Sequence, residues 1–140
     1  MHVGSVFAKR VVTAGPDSHI HRVAELMEEE GVGAVVITEH RRPVAIVTDR
    51  DLALALGRGR ANRADPVRGI MTSPVDTIGH REGIFSATQH MREHGLRRLP
   101  IVDDAGELAG MVTLDDLVVL LGQELGNLGV GVGREMVAAR

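Results

Sequence analysis

The sequence predicts an α/β fold made of two tandem repeats, each with a small, mostly three-stranded sheet and two helices. Three observations support this prediction. First, a shift of 64 residues aligns Thr13 with Thr77, and a shift of 65 aligns Thr48 with Thr113. Second, each repeat ends in an apolar run that leads directly into a helical pattern. Third, apolar residues form 44% of the chain and aromatic residues only 1%, so the core must be aliphatic.

Each repeat begins with a short extended segment that is followed by an amphipathic helix. The extended segments are residues 11–13 and 75–77, and Gly31 and Gly95 are the expected helix stops. Between the extended segment and the glycine of each repeat, mostly apolar residues follow the i, i+3, i+4, i+7 spacing that places one helix face against a core. These positions are Ile20, Val23, Ala24 and Met27 in the first copy and Ile84, Ala87, Thr88 and Met91 in the second.

Two buried strands and a second helix complete each repeat. In the first copy, apolar runs at 34–37 and 43–47 flank a polar turn, which predicts a hairpin-like strand pair. Both runs are too continuously apolar for one face to be solvated. The second copy has the corresponding runs at 99–102 and 108–112, and the closing helices begin near Asp49 and Asp115.

The repeat pattern divides the chain into four parts. We assign repeat 1 to residues 1–57, a linker to 58–66, repeat 2 to 67–122, and a C-terminal helix or tail to 123–140. We interpret the arginine-rich linker as solvated, and Asp65 and Pro66 as an N-cap followed by proline at the first helical position. After residue 122, leucine and glycine stripes are equally compatible with a helix completed by another subunit and with a frayed tail.

Composition and charge exclude several classes of function. A net charge of -3 and the near absence of aromatic residues argue against nucleic-acid binding. The chain has no cysteine, and therefore no disulfide framework or thiolate nucleophile. No apolar run is long enough to predict a membrane span or a signal peptide. We therefore expect a cytoplasmic protein without nucleic-acid or membrane partners.

The Thr-x-x-Asp motifs at Thr48/Asp51 and Thr113/Asp116 stand at the two strand-to-helix junctions. A helix N-terminus offers free backbone N–H groups and a positive dipole end, which favour an anion such as a phosphate. The carboxylate one turn into the helix has the chemistry to accept hydrogen bonds from ribose hydroxyls. The same pattern also fits a helix capping box, which needs no ligand.

The sequence contains one pattern typical of a catalytic metal site. His90, Glu93 and His94 follow the H-x-x-E-H spacing, which places two imidazoles on one helix face. No acidic third ligand can be identified downstream, and the apolar stripe of this helix turns both histidines toward solvent. We therefore predict no metal site. Since no nucleophile and base pair can be argued either, we predict that the protein is not an enzyme.

The unit strand, helix, strand, strand, helix, present twice and ending each time in Thr-x-x-Asp, resembles the CBS (cystathionine beta-synthase) domain pair, also called a Bateman module. The motifs that carry the resemblance lie at residues 46–52, 91–103 and 110–117, and it extends from Val3 to Leu121. It implies a stand-alone two-repeat protein whose halves pack through their sheets as a pseudo-twofold pair. It also implies that adenosine-containing ligands bind in the clefts between them.

The resemblance assigns a role to each candidate site residue. Asp51 and Asp116 would hold ribose hydroxyls, Thr48 and Thr113 would meet phosphate, and Arg50 and Arg98 would be the nearest cations. The residues expected to flank the base are Thr13, Ala14, Val35 and Val36 in one repeat and Thr77, Ile78, Leu99 and Pro100 in the other.

Two positions depart from the family pattern. Ala45 replaces the usual glycine, and its methyl group is expected to narrow the first cleft. Leu114 stands where the first repeat has Arg50, so the second cleft is expected to have one cation fewer.

The resemblance implies a homodimeric regulatory module that senses an adenosine-containing ligand and signals to an unidentified regulated protein. The ligand would be AMP, ADP, ATP or S-adenosylmethionine, and no cofactor is required. The alternative is a structural dimerisation module with degenerate, ligand-free sites, in which the Thr-x-x-Asp motifs only cap helices.

Overall fold

A computed structural model describes residues 1–139 of the chain. Each half contains the predicted order strand, helix, strand, strand, helix, and in the first half this order is preceded by a short helix that the repeat pattern does not predict. The first half contains α1 (Val3–Phe7), β1 (Thr13–Ala14), α2 (Ile20–Glu30), β2 (Ala34–Glu39), β3 (Arg42–Thr48) and α3 (Asp49–Gly57). The second half contains a 3₁₀ turn (Val67–Gly69), β4 (Ile78–Gly79), α4 (Ile84–His94), β5 (Arg98–Val102), β6 (Leu108–Thr113) and α5 (Leu114–Ala138).

Each half has its own three-stranded sheet with the same topology. Strand β2 is central, with β1 parallel on one side and β3 antiparallel on the other. Strands β4, β5 and β6 repeat this arrangement. The α/β fold with two three-stranded sheets is therefore confirmed.

Glycine ends the first long helix of each half. Gly31 and Gly95 have φ angles of 63° and 64°, the left-handed conformation that glycine adopts without a Cβ penalty. The sharp stop sends the chain directly into the central strand. As a result, each helix packs back on its own sheet.

The segment that precedes each sheet packs on the opposite half of the molecule. The backbone N–H of Val3 donates to the carbonyl of Glu82 at 2.8 Å, and Val3 and Phe7 are buried in the second core. In the other direction, the N–H of Val67 donates to the carbonyl of Ser18 at 2.8 Å, and Val67 is fully buried in the first core. Each half thus contributes a segment to the core of the other half. We call this the exchange of segments, and its two equivalent contacts join the halves.

The structure corrects the predicted start of the 3₁₀ turn. Pro66 is the N-cap and Val67 is the first helical residue, so proline does not occupy the first helical position. The carboxylate of Asp65 accepts a hydrogen bond from the N–H of Asn62 at 2.8 Å. It therefore stabilises a turn in the linker and does not cap a helix.

Helix α5 continues without a break far beyond the second core. It runs for 25 residues, and all of its residues from Gly122 to Ala138 are exposed. Of the two alternatives for the C-terminal part, the structure has the helix up to Ala138, and Arg140 lies outside the described residues. Within residues 1–139, no helix combines the length and apolar character needed to cross a membrane.

Candidate functional site

Both Thr-x-x-Asp motifs form complete capping boxes. In the first, Asp51 Oδ2 accepts from the N–H of Thr48 at 2.8 Å, and Thr48 Oγ1 accepts from the N–H of Asp51 at 3.2 Å. In the second, Asp116 Oδ2 accepts from the N–H of Thr113 at 3.1 Å, and Thr113 Oγ1 accepts from the N–H of Asp116 at 3.0 Å. The boxes hold both aspartates at the starts of α3 and α5, where the dipoles favour negative charge.

The second capping box carries an additional contact from the N-terminal segment. The ammonium group of Lys9 donates to Asp116 Oδ2 at 3.2 Å. Partial burial acts to raise the pKa of Asp116, but the hydrogen bonds from Lys9 and Thr113 outweigh burial and lower this pKa below its usual value. Asp116 is therefore a carboxylate at neutral pH.

A cleft of about 250 Å³ opens beside this second capping box, between the two halves. Residues just before β1 and around the start of β2 form one wall, and residues of β5 and β6 form the other. The lining residues are Lys9, Arg10, Val11, Val12, Val32, Gly33, Ala34, Arg98, Met111 and Thr113. We call this the second cleft.

Three cations line the second cleft, namely Lys9, Arg10 and Arg98. The expectation that Leu114 leaves this site with fewer cations is therefore wrong. The missing charge is supplied from outside the repeat, because the chain before β1 crosses to the opposite half. Arg50, in contrast, is exposed on α3 and does not line the second cleft.

Gly33 permits the close approach of the two halves at this cleft. A Cβ atom on Gly33 would lie 3.3 Å from Asp49 Oδ2 and 3.7 Å from Arg98 Nη2. The arginine of the second half therefore reaches the start of α3 in the first half. A side chain at this position would crowd the Asp49 carboxylate and lie in van der Waals contact with Arg98.

The first capping box has a different environment. A groove of about 270 Å³ lies beside Asp51, and the other lining residues are Leu54, Ala55, Arg60, Gly69, Ile70 and Met71. Ser73 stands 64 residues after Lys9, and its hydroxyl donates to the carbonyl of Val44 at 3.1 Å. Within residues 1–139, Asp51 has no cationic partner equivalent to Lys9.

The methyl group of Ala45 does not narrow the first cleft. Ala45 is fully buried in the first hydrophobic core, together with Val35 and Ile37. It pairs with Ile37 across the sheet, and both side chains lie on the core face. The expected narrowing is therefore wrong.

Several residues predicted to flank a base point into the cores instead. Val35 and Leu99 are fully buried in the first and second cores, and Ile78 is 4% exposed in the second. Because side chains alternate between the faces of a strand, a residue that fills the core cannot also line a cleft with its side chain. Val36 and Pro100 are also buried, while Thr13, Ala14 and Thr77 are exposed or half-buried. None of these eight residues lines the second cleft, where Val11, Val12 and Met111 provide the apolar surface.

The two histidines of α4 also differ from expectation. His94 is exposed, but His90 is half-buried, and its Nε2 atom is buried without a hydrogen-bond partner among residues 1–139. Asp76, upstream of α4, brings a carboxylate close to both rings. The prediction considered only downstream residues as a third ligand and therefore missed this carboxylate.

Comparisons with known proteins agree with the two-repeat architecture. The CBS domain family model matches the chain twice, over residues 3–58 and 67–122. Protein MK0525 of Methanopyrus kandleri is 37% identical over 118 residues, which cover 83% of this chain and 60% of that protein. The chain thus spans less than two thirds of that relative.

Two solved structures have the same fold. The CBS domain pair of protein MJ0100, in complex with 5'-methylthioadenosine and S-adenosyl-L-methionine, superimposes with a TM-score of 0.79 at 26% identity, covering 89% of this chain and 98% of that one. The CBS domain protein PAE2072 from Pyrobaculum aerophilum, complexed with AMP, gives a TM-score of 0.76 at 26% identity, covering 88% of this chain and 99% of that one.

Proposed function

This chain belongs to the CBS domain family as a tandem pair, and we propose that it is a regulatory module that binds an adenosine-containing ligand in the second cleft. The observation that carries the proposal is the ion pair of Asp116, an ionised carboxylate at a helix N-terminus, with Lys9, which is one of the three cations that line that cleft. The groups present suit a ligand that combines hydroxyls, negative charge and an apolar ring. We assign the protein a binding role and no catalytic one.

Each part of such a ligand has a matching surface. The N-terminus of α5 and the side chains of Lys9, Arg10 and Arg98 suit a phosphate, because oriented N–H groups and cations both favour an anion. Asp116 Oδ2 is engaged by Thr113 and Lys9, which leaves Oδ1 for ribose hydroxyls. The aliphatic surface of the cleft suits the faces of a purine.

The solved relatives support this ligand class. The ligands of the MJ0100 and PAE2072 complexes all contain adenosine, and only AMP among them carries a phosphate. A cleft with three cations favours a phosphate-bearing ligand over a neutral one. We therefore place AMP, ADP and ATP before S-adenosylmethionine and methylthioadenosine.

The contact between Lys9 and Asp116 offers a route for a signal. Lys9 lies between α1, which packs on the second half, and β1, which belongs to the first. A phosphate in the cleft competes with Asp116 for the ammonium group, so binding alters the segment that joins the halves. A ligand shifts such an equilibrium only by the difference in its affinity for the two states.

We also propose that α5 forms a homodimer contact. Beyond the second core, this helix exposes apolar side chains that have no partner among residues 1–139, including Leu125, Leu128, Val132 and Met136. Four glycines lie beside this stripe, at positions 122, 126, 129 and 133, and a Cβ at any of them would meet no atom within 4 Å. Glycine inside a helix costs about 1 kcal/mol relative to alanine, so a packing partner explains its presence.

The alternative is a dimerising scaffold without a ligand. It is favoured by one observation, namely that in each Thr-x-x-Asp motif the threonine and aspartate side chains already accept hydrogen bonds from each other's backbone N–H groups. In that case the aspartates act on stability alone.

Thermal unfolding with a panel of AMP, ADP, ATP, S-adenosylmethionine and methylthioadenosine tests the proposal. A ligand that binds only the folded state stabilises it by about 2.7 kcal/mol at a hundredfold excess over Kd. We expect stabilisation by at least one phosphate-bearing ligand, its loss in Asp116→Ala, and its retention in the matched variant Asp51→Ala. If no ligand stabilises the protein, and both variants lose only about 1 kcal/mol of cap stability, the scaffold is the better account.

A further inference from the structure

Asp76, His90 and His94 form a cluster of potential metal ligands outside the second cleft. One ligand atom from each residue lies within 4.8 Å of the other two. The histidines stand four residues apart on α4, and Asp76 comes from the segment that leads into β4. Among residues 1–139, this is the only group of three or more such side chains that converges in this way.

The hydrogen bonds of the two rings leave nitrogen lone pairs available. Nδ1 of His94 donates to the carbonyl oxygen of His90 at 3.1 Å, and this contact places the proton on Nδ1 and leaves Nε2 free to bind a metal. Nε2 of His90 is buried and has no partner among residues 1–139. The two rings stack with centroids 4.4 Å apart and an angle of 25° between their planes. A buried, unpaired ring nitrogen is unfavourable unless something binds it.

We propose that these three residues bind a divalent transition-metal ion of the zinc type. Two imidazoles and one carboxylate are a donor set that such ions prefer, whereas Mg²⁺ and Ca²⁺ prefer oxygen ligands alone. Ligand atoms on a tetrahedral zinc ion lie about 3.4 Å apart, given bond lengths of about 2.0–2.1 Å. The ligand atoms now lie within 4.8 Å of one another, and Asp76 and His94 are exposed, so their side chains have room to move closer to an ion. Water completes the coordination.

The other half of the molecule serves as an internal comparison. A shift of 64 residues places Val12, Leu26 and Glu30 at the positions of Asp76, His90 and His94. Only one of these three has a side chain that binds metals, and Glu30 pairs with Arg10 at 3.9 Å. The ligand set is therefore specific to the second half, and the shared fold does not require it.

A bound ion would join the start of the second sheet to α4. Asp76 directly precedes Thr77 and follows the segment in which Thr72 pairs with Ile46 of β3 in the first half. Metal occupancy therefore stiffens the chain that links the halves beside the first capping box. This inference is independent of nucleotide binding, because it concerns different residues.

Zinc binding to the tag-free, chelator-treated full chain tests the site. We expect one Zn²⁺ per chain by calorimetry and a rise in melting temperature with ZnCl₂ but not with MgCl₂. Asp76→Asn and His94→Gln change exposed residues, and each should weaken binding at least about a hundredfold, since loss of an outer-shell partner alone costs 10–100-fold. The matched control is His19→Gln. His19 is exposed and forms a second histidine pair with His21, and this variant should bind zinc as the unaltered chain does.

Three results would overturn the proposal. The first is that the unaltered chain binds no Zn²⁺ at micromolar concentrations. The second is that Asp76→Asn and His94→Gln both bind with unchanged affinity. The third is that His19→Gln abolishes binding, which would place the ion at the other histidine pair. Melting curves without metal verify that every variant is folded, so weak binding cannot be confused with unfolding.

Discussion

The ammonium nitrogen of Lys9 lies 3.2 Å from Oδ2 of Asp116, although 107 residues separate the two in the chain. Lys9 arrives there because α1 packs on the second half, while the strand that follows Lys9 belongs to the first. One ion pair thus connects the N-terminal segment, the second capping box and the wall of the second cleft. The first capping box has no such connection among the described residues.

Substitution of Lys9 should separate phosphate-bearing ligands from neutral ones. A charge-assisted hydrogen bond contributes about 1.5–3 kcal/mol, which corresponds to roughly ten- to over a hundredfold in affinity. We expect Lys9→Gln to weaken AMP binding by at least about tenfold and to leave methylthioadenosine, which has no phosphate, within about threefold. Calorimetric titration of both ligands measures the difference.

Arg50→Gln is the matched control for Lys9→Gln, since Arg50 is an exposed cation away from the second cleft. Its effect on both ligands should be small. Equal weakening of AMP and methylthioadenosine by Lys9→Gln would contradict a phosphate role, and would indicate that Lys9 only holds the segment in place.

The stability of the protein should depend on Asp116 at acid pH. Partial burial raises the pKa of Asp116, but hydrogen bonds from Lys9 and Thr113 lower it further than burial raises it. A carboxyl with a lowered folded-state pKa stabilises the protein fully above its unfolded value of about 3.9, and this stabilisation is lost as pH falls through the folded value. Asp116→Asn should therefore lose stability at pH 6 and show a shallower decline between pH 5 and pH 3.

Urea unfolding at several pH values between 3 and 6 measures this decline. Asp115→Asn is the control, because Asp115 is exposed and its nearest cation, the Nη2 of Arg97, is 3.8 Å away. Its pH profile should follow that of the unaltered chain. Parallel profiles for Asp116→Asn and the unaltered chain would show that the Lys9 contact does not lower the pKa in solution.

Local sequence patterns were sufficient to predict both sheets and the helices α2, α3, α4 and the start of α5, but not α1. The apolar residues Ile20, Val23 and Met27 lie on one helix face, and the two glycine stops have the expected positive φ angles. These features depend on residues within one or two turns of each other. The second repeat carries the same pattern and therefore supports the same assignment for each element independently.

The exchange of segments could not be predicted in the same way. Val3 and Phe7 are apolar residues that would fit either core, and their own sequence contains nothing that selects the distant one. Because Lys9 and Arg10 reach the second cleft only through this exchange, these two cations were missed with it, whereas Arg98 was predicted. The same is true of Asp76, which the fold brings to the histidines of α4.

Gly110, the single glycine of β6, should tolerate no side chain without a cost in stability. A Cβ at this position would overlap the carbonyl oxygen of Phe7 and lie 3.3 Å from the Cα of Ala8. Both obstacles are backbone atoms of the exchanged segment, which cannot rotate away. We expect Gly110→Ala to destabilise the protein by about 1–3 kcal/mol, and to increase proteolysis between Phe7 and Thr13.

Chemical denaturation and limited proteolysis measure the two effects of Gly110→Ala. Gly57→Ala is the control, since a Cβ at Gly57 meets nothing within 4 Å. The first half already has an alanine, Ala45, at the position equivalent to Gly110, and this methyl group is buried in the core. Unchanged stability in Gly110→Ala would show that the N-terminal segment moves to accommodate the methyl group without loss of packing.

The glycines of α5 provide the sharpest test of dimerisation, because they act in opposite directions on the helix and on a helix contact. In an isolated helix, Gly122→Ala combined with Gly126→Ala should add about 2 kcal/mol, at about 1 kcal/mol for each substitution. In a dimer that packs closely against these positions, the added methyl groups hold the helices apart and weaken association. Sedimentation equilibrium and thermal unfolding of the double variant therefore distinguish the two situations.

We expect the unaltered chain to be a dimer and the dimer of the double variant to dissociate at a higher protein concentration, while its helix content stays equal or rises. A control substitution, Asn127→Ala, lies on the opposite side of α5 and should leave association unchanged. If the unaltered chain is a monomer, or if the double variant only gains stability, the exposed face of α5 is not the dimer contact.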